Sequence, residues 1–445
     1  MSSLTLLFSL AAICSKLDAS PPNVELSTGK LVGKRLSTDR GNEAIVFLKT
    51  PYAEPPTGEL RFRKTVPKHP WKGELDGTQW PHRCPQPYAL DERDDQSEDC
   101  LYASVFTSSA CLSNGPPTCA VLFFVRGGAH GVVVVTFQYR LGILGYFAAK
   151  DSDSTANYAI WDMLEALRWM RREVHAFGGD PNRVTLGGHS SGAADASLLS
   201  LLPETQGLFN QLLIMSGPAL GFRVPVDGWA AASAQAVEAV GCASSDRWNG
   251  ATSEEKAELM RCMRRVVVDA LVDFSASNVL NFRGPVLESP SGLVTGRPGA
   301  LYRDRRPYPT MIGTTRDEAA FSVREDCALA SKQWRFVHHR RIARFCMKRY
   351  KDAGEVVQGR LKSDVRFFVP SYEEASHMAR RVKNIPNAKV FLYSFNPENY
   401  TAHGDDLFLM TTVLLAGDLS TSVCRWIDGV SSGDDFEVSY LNALV

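Results

Sequence analysis

Gly188-His189-Ser190-Ser191-Gly192 is the stretch whose residue types and spacing could do chemistry. A serine set two residues from a glycine on either side is the pattern of a strand-turn-helix elbow that exposes a nucleophilic hydroxyl for acyl transfer. Such a hydroxyl needs a base to take its proton, an acid to hold that base, and donors for the oxyanion that forms. The elements that must position it are legible nearby. Arg183-Val184-Thr185-Leu186 reads as a strand and Ala193-Ala194-Asp195-Ala196 as the opening of a helix. The glycines permit the sharp turn between them, and the helix N-terminus favours negative charge beside Ser190. By itself the pentapeptide is weak, because glycine-rich loops produce it by chance.

Other blocks carry more weight. Upstream, Ile160, Leu164, Leu167, Met170, Val174 and Phe177 recur at helical spacing and lead into Ala176-Phe177-Gly178-Gly179-Asp180-Pro181-Asn182-Arg183. Read in order, PYAEPPTGELRF, SEDCLY, NYAIWD, AFGGDPNRVTLGGHSSGA, TTRDEAAF and AHGDDL together resemble the type B carboxylesterase/cholinesterase family from about Val24 to about Leu409. The resemblance implies an α/β-hydrolase fold: a central, mostly parallel, twisted sheet with helices on both faces. It also implies a serine carboxylic-ester hydrolase that works through an acyl-enzyme. No cofactor or metal is expected.

Within that resemblance the triad runs Ser, then Glu or Asp, then His. The histidines after Ser190 are His338, His339, His377 and His403. His338 and His339 lie in the basic run Arg335 to Arg341, which suits a solvated helix face. His377 falls in the helix-like Ser371 to Lys383, where a surface histidine is the plainer reading. His403 follows the strand-like Val390 to Phe395 through a loop, and its AHGDD context resembles the family's His-Gly motif, so it is the expected base. The expected acid is Glu318, just after the strand-like Pro309 to Gly313. Asp317 is its neighbour, better suited to pairing with a helix N-terminus.

The oxyanion donors implied by the family are the amides of Gly128, Ala129 and Ser191, with Arg126 in the place usually held by histidine. The chain then departs from the pattern. Ala129-His130-Gly131 runs straight into Val132-Val133-Val134-Val135-Thr136, where the family usually inserts an excursion of about twenty residues. The stretch after His403 is also short. Neighbouring parallel strands need a crossover of about a dozen residues. The short join is therefore expected either to move the Val132–Thr136 run out of the sheet or to draw residues 127–129 away from Ser190, impairing activity.

Composition bounds the rest. The 445 residues suit one large domain, with 49 basic and 49 acidic side chains in balance. That balance gives no overall field for nucleic acid or an anionic membrane, and it is only permissive for a small uncharged ester. No apolar run is long enough to span a bilayer, and oligomeric state is unreadable. Leu4 to Cys14 has the length of a signal-peptide core, so residues 1–20 are expected to be a cleaved signal and 21–445 a single secreted domain. The family resemblance implies disulfides Cys84–Cys100 and Cys242–Cys262, leaving Cys111, Cys119, Cys327, Cys346 and Cys424 without assigned partners. Asn399-Tyr400-Thr401 is a glycosylation sequon. Between Pro85 and Asp99 there is no tryptophan, unlike the cholinesterases, and His189 stands where they have glutamate, so a general carboxylesterase fits better. The rival reading is a catalytically weak esterase-like protein that acts by surface binding or adhesion.

Overall fold

A computed structural model describes residues 21–37, 43–87, 95–112, 115–125, 132–149, 156–221, 229–278, 282, 284–288, 292–302, 304–318, 327, 339–350, 363–386 and 388–395. Its strands, in chain order, are β1 (Asn23–Leu26), β2 (Gly29–Val32), β3 (Lys34–Ser37), β4 (Glu43–Pro51), β5 (Glu74–Asp76) and β6 (Tyr102–Thr107). There follow β7 (Cys119–Val125), β8 (Val133–Phe137), β9 (Gly179–His189), β10 (Gln211–Met215), β11 (Thr310–Thr315) and β12 (Val390–Phe395). β1, β2 and β5 make a small sheet of three strands. The other nine form one sheet in the order β12-β11-β10-β9-β7-β8-β6-β4-β3. From β12 to β8 every pairing is parallel. From β8 to β3 every pairing is antiparallel. The mostly parallel sheet expected from the sequence is therefore present.

Why these segments form strands follows from their side chains. β7 and β8 are near-continuous apolar runs, as strands buried on both faces require. Alternate residues point to opposite faces. Val121 and Phe123 of β7 and Val133 and Val135 of β8 enter the main core, while Ala120, Leu122, Phe124, Val132 and Val134 enter a second cluster with Leu213 and Met215. Three helices, Tyr158–Glu173, Ser191–Leu199 and Val369–Val382, contribute to the main core. The first buries Ile160, Met163, Leu164, Leu167 and Met170 at helical spacing.

Of the two outcomes expected of the short join, one is excluded. Val121, Leu122 and Phe123 pair in parallel with Val133, Val134 and Val135. The Val132–Thr136 run thus keeps its place beside β7, although residues 126–132 are all that separate the two strands. The rule that parallel neighbours need a long crossover does not hold at this join. Residues 126–131, with Gly128 and Ala129, lie outside the described residues, as do residues 1–20, Asn399 and His403.

Four disulfides join Cys84 to Cys100, Cys111 to Cys119, Cys242 to Cys262 and Cys327 to Cys346. Buried ion pairs fasten motif blocks to one another. Arg61 of PYAEPPTGELRF grips Glu98 of SEDCLY through Nε at 2.7 Å and Nη2 at 2.6 Å. Its Nη1 also donates to the carbonyls of Arg264 and Val266, at 2.9 and 2.6 Å. Arg140, just after β8, meets Asp162 of NYAIWD at 2.7 and 2.8 Å. Both side chains are almost wholly buried, 4% and 0% exposed. The Arg140 amide and the Thr65 hydroxyl also donate to Asp162, at 3.0 and 2.5 Å.

Removing one member of such a pair leaves the other charge buried without its partner. Asp162→Ala should therefore cost about 3–5 kcal/mol in urea unfolding. Replacing Arg140 and Asp162 together by leucine should recover most of that loss. A single Asp162→Ala variant as stable as the parent would show that the pair does not tie the helix to the sheet.

Candidate active site

Register brings the ends of β9 and β10 level, and β11 beside them runs two residues further, to Thr315. Met215, the last residue of β10, pairs with His189 of β9 on one side and with Gly313 of β11 on the other. The residues just past these ends therefore share the carboxyl edge of the sheet, where open α/β sheets bind their ligands.

Ser190 follows β9 directly and precedes the helix Ser191–Leu199. Its backbone has φ 56° and ψ −122°, a region that costs a non-glycine residue about 1–3 kcal/mol. Two hydrogen bonds hold it there. The Ser190 amide donates to the Met215 carbonyl at 2.8 Å, and its own carbonyl accepts from the Ala194 amide at 3.1 Å. Close packing requires the surrounding glycines. A Cβ on Gly188 would sit 2.2 Å from the Gly192 carbonyl oxygen, and one on Gly217 would sit 2.0 Å from that of Ser190. Ser191 is the first residue of the helix, where backbone amides have no acceptor within the helix.

Ser216 follows β10 and is also left-handed, with φ 52°. It is fully buried, and its hydroxyl donates to Glu318 Oε1 at 2.6 Å. Glu318 is itself 2% exposed. The same oxygen accepts from the Thr315 amide at 2.7 Å, and the Glu318 amide donates to Ser363 Oγ at 3.1 Å. Asp317 has a different setting: it is exposed, with its carboxylate 2.8 Å from Arg316 Nε. The two neighbours named by sequence thus part company, one held inside beside β10 and the other turned to solvent.

Of the expected site residues, Ser190, Ser191 and Glu318 fall on this edge. His377 lies on the exposed surface of its helix, its ring stacked on Tyr302 with 5.5 Å between centroids. Sequence reasoning missed Ser216 and Ser363. For Ser216 there was a usable signal, since Gln211-Leu212-Leu213-Ile214-Met215 reads as a buried strand and a polar residue at its end lands on the same edge. Ser363 has no such mark.

Asp195 sits one turn along the helix from Ser190, 8% exposed, and the Tyr139 hydroxyl donates to its Oδ2 at 3.4 Å. Burial pushes this carboxyl up to about 7, only partly opposed by the Tyr139 hydrogen bond. Among the described residues no group of histidine, cysteine and carboxylate side chains could hold a metal ion, and no helix is long and apolar enough to cross a membrane.

Known proteins place this architecture. Residues 20–423 match the carboxylesterase family. Liver carboxylesterase of Sus scrofa is 30% identical over 344 residues, covering 67% of this chain and 59% of that protein. Cocaine esterase of Homo sapiens is 31% identical over 343 residues, covering 69% of this chain and 58% of the relative. Both matches thus span about six tenths of the relative's length. Among solved structures, juvenile hormone esterase from Manduca sexta, with OTFP covalently attached, superposes with a TM-score of 0.73 over 92% of this chain and 89% of that one. At 24% identity that likeness speaks for the fold. The chain has the α/β-hydrolase fold and belongs to the carboxylesterase family.

Proposed function

We propose that this protein hydrolyses small carboxylic esters through an acyl-enzyme on Ser190. The observation that carries the reading is the strained Ser190 elbow, tied by its amide to β10, whose next residue holds the buried Glu318. In this mechanism His403 takes the proton as Ser190 Oγ attacks the ester carbonyl, and Glu318 holds the imidazole in the needed tautomer. The amides of Gly128, Ala129 and Ser191 receive the oxyanion. Collapse of the tetrahedral intermediate breaks the ester C–O bond, and His403 returns the proton to the departing alcohol. Water then attacks the acyl-enzyme by the same route and releases the acid. Ser216 acts as a positioning residue: its hydroxyl fixes the carboxylate that orients His403.

Residues 21–445 are read as one domain, since a single sheet draws strands from residue 34 to residue 395. Four disulfides suit an oxidising compartment. We therefore place the protein on the secretory route, with a cleaved signal over residues 1–20 and a glycan at Asn399. A second reading, a weakly active protein that works by surface binding, draws on the short join between β7 and β8, from which two oxyanion donors must come.

Ser190→Ala should abolish turnover of a p-nitrophenyl ester, by about 10⁴-fold or more, together with labelling by a fluorophosphonate probe. Labelling that persists would move the nucleophile to another serine. Labelling of the parent without measurable turnover would favour the second reading.

Ser216→Ala should lower kcat about tenfold to a hundredfold with KM little changed, because it loosens the orienting carboxylate without touching substrate. Asp317→Asn should leave kcat within about twofold. The reverse ranking of these two variants would exchange the roles given to Glu318 and Asp317.

Asp195 has a folded-state value above its ordinary one, so the native state holds its proton more tightly than the unfolded chain does. Its contribution is most favourable below about pH 4 and is lost as pH rises to about 7. Asp195→Asn should therefore flatten the fall in unfolding free energy across that window. Identical pH slopes for variant and parent in urea titrations would count against the buried acid.

A further inference from the structure

The helix His339–Tyr350 has a charge pattern unlike the rest of the chain. Arg340, Arg341, Arg344 and Lys348 are exposed on it. At about 100° per residue, these four and Phe345 fall within an arc of about 140°. Between Arg340 and Lys348 the arc runs about 12 Å along the helix axis. None of the four cations forms an ion pair with a carboxylate among the described residues. Phe345, at one side of the arc, is 69% exposed. The opposite side carries Ile342, Ala343, Cys346 and Met347, all partly covered, and Cys346 is bonded to the fully buried Cys327. The disulfide thus fastens the back of the helix and leaves the cationic arc outward.

A neutral protein gathers no such cluster merely through an excess of basic residues. The chain balances 49 basic against 49 acidic side chains, yet residues 332 to 351 include eight Lys and Arg and no Asp or Glu. Like charges at helical spacings of three and four repel and destabilise an isolated helix. An anionic surface relieves that repulsion, so charge complementarity selects the partner's sign. The exposed phenyl ring selects its kind. Beside guanidinium groups, an aromatic ring gains by entering the apolar boundary beneath lipid headgroups, whereas a hydrated polyanion offers it little.

We infer that the Arg340–Lys348 face of this helix, with Phe345 beside it, docks the protein on an anionic lipid surface. Each lysine or arginine near such a surface adds to the attraction, and the attraction fades within a Debye length. The contact is therefore salt-sensitive.

The test is sedimentation of the full chain with vesicles of phosphatidylcholine alone or with roughly one third phosphatidylserine. Binding is expected only with phosphatidylserine, and it should weaken as salt is raised. The triple variant Arg340→Glu, Arg344→Glu, Lys348→Glu should lower the partition coefficient at least about tenfold. Phe345→Ala should lower it about threefold or more. All variants should retain the parent's melting temperature. Equal binding to both vesicle types, or parental binding by the triple variant, would overturn the assignment. Binding unchanged by Phe345→Ala would overturn it too, as would retention on immobilised heparin without binding to either vesicle, which would transfer the face to sulfated polysaccharide. Cleavage of esters is not used as a readout, so failure here and failure of the Ser190 mechanism are distinguishable.

Discussion

The register of β9, β10 and β11 near their carboxyl ends is the constraint on which the candidate site depends. Met215 pairs with His189 and Gly313, so β9 and β10 end at one height and β11 ends two residues beyond it. A slip of one residue in β10 would turn Ser216 to the other face of the sheet and remove its hydroxyl from Glu318. That register is set by burial on both faces. Leu212 and Ile214 enter the main core while Leu213 and Met215 enter the second cluster, so any slip exchanges the two sets at once. Packing of apolar residues thus fixes where the polar ones meet.

The same edge concentrates strain. Ser190 and Ser216 both hold left-handed backbone, and they are joined through Met215. Strained residues of this kind persist only where surrounding contacts over-determine them. Those contacts are visible: the Met215 carbonyl takes the Ser190 amide, the Gly313 carbonyl takes the Ser216 amide, and Gly217 lets the chain pass close to Ser190. Farther off, the Arg140–Asp162 pair locks the loop after β8 to the Tyr158–Glu173 helix. That helix fills the main core together with the one that starts at Ser191. Buried ion pairs bring little net stability over apolar replacements. Their value is geometric, because a bidentate pair admits one orientation of the elements it joins.

Much of this was legible in the chain itself, and for identifiable reasons. The β7 and β9 runs and the elbow after β9 announce themselves through apolar continuity and glycine placement. The choice between Asp317 and Glu318 could be framed from sequence only by motif position; burial and the Ser216 hydroxyl are tertiary facts. Ser216 and Ser363 went unnoticed because a lone serine carries no periodic signal, and its partner lies 102 residues away in one case and 45 in the other. The Cys111–Cys119 and Cys327–Cys346 bridges were hidden likewise, since connectivity does not follow from spacing. In the sequence, the basic run around His338 and His339 suits a solvated helix face. The described part of that helix has such a face, and it is more one-sided than composition alone requires.

The join between β7 and β8 shows where a general rule gave way. Val133 lies beside Val121, four residues back from the end of β7. At about 3.3 Å per residue, the chain must return roughly 13 Å to reach that level. Seven intervening residues can span at most about 25 Å, so the return is possible without a crossover helix. The long crossover usual for parallel neighbours is thus dispensable where the chain has to return only about 13 Å along the first strand. The same seven residues include Gly128 and Ala129, the expected oxyanion donors. Apolar burial of Val132 to Val135 on two faces holds β8 in its register beside β7. The sheet pairing of β8 is thus fixed by burial, whatever path the intervening residues take.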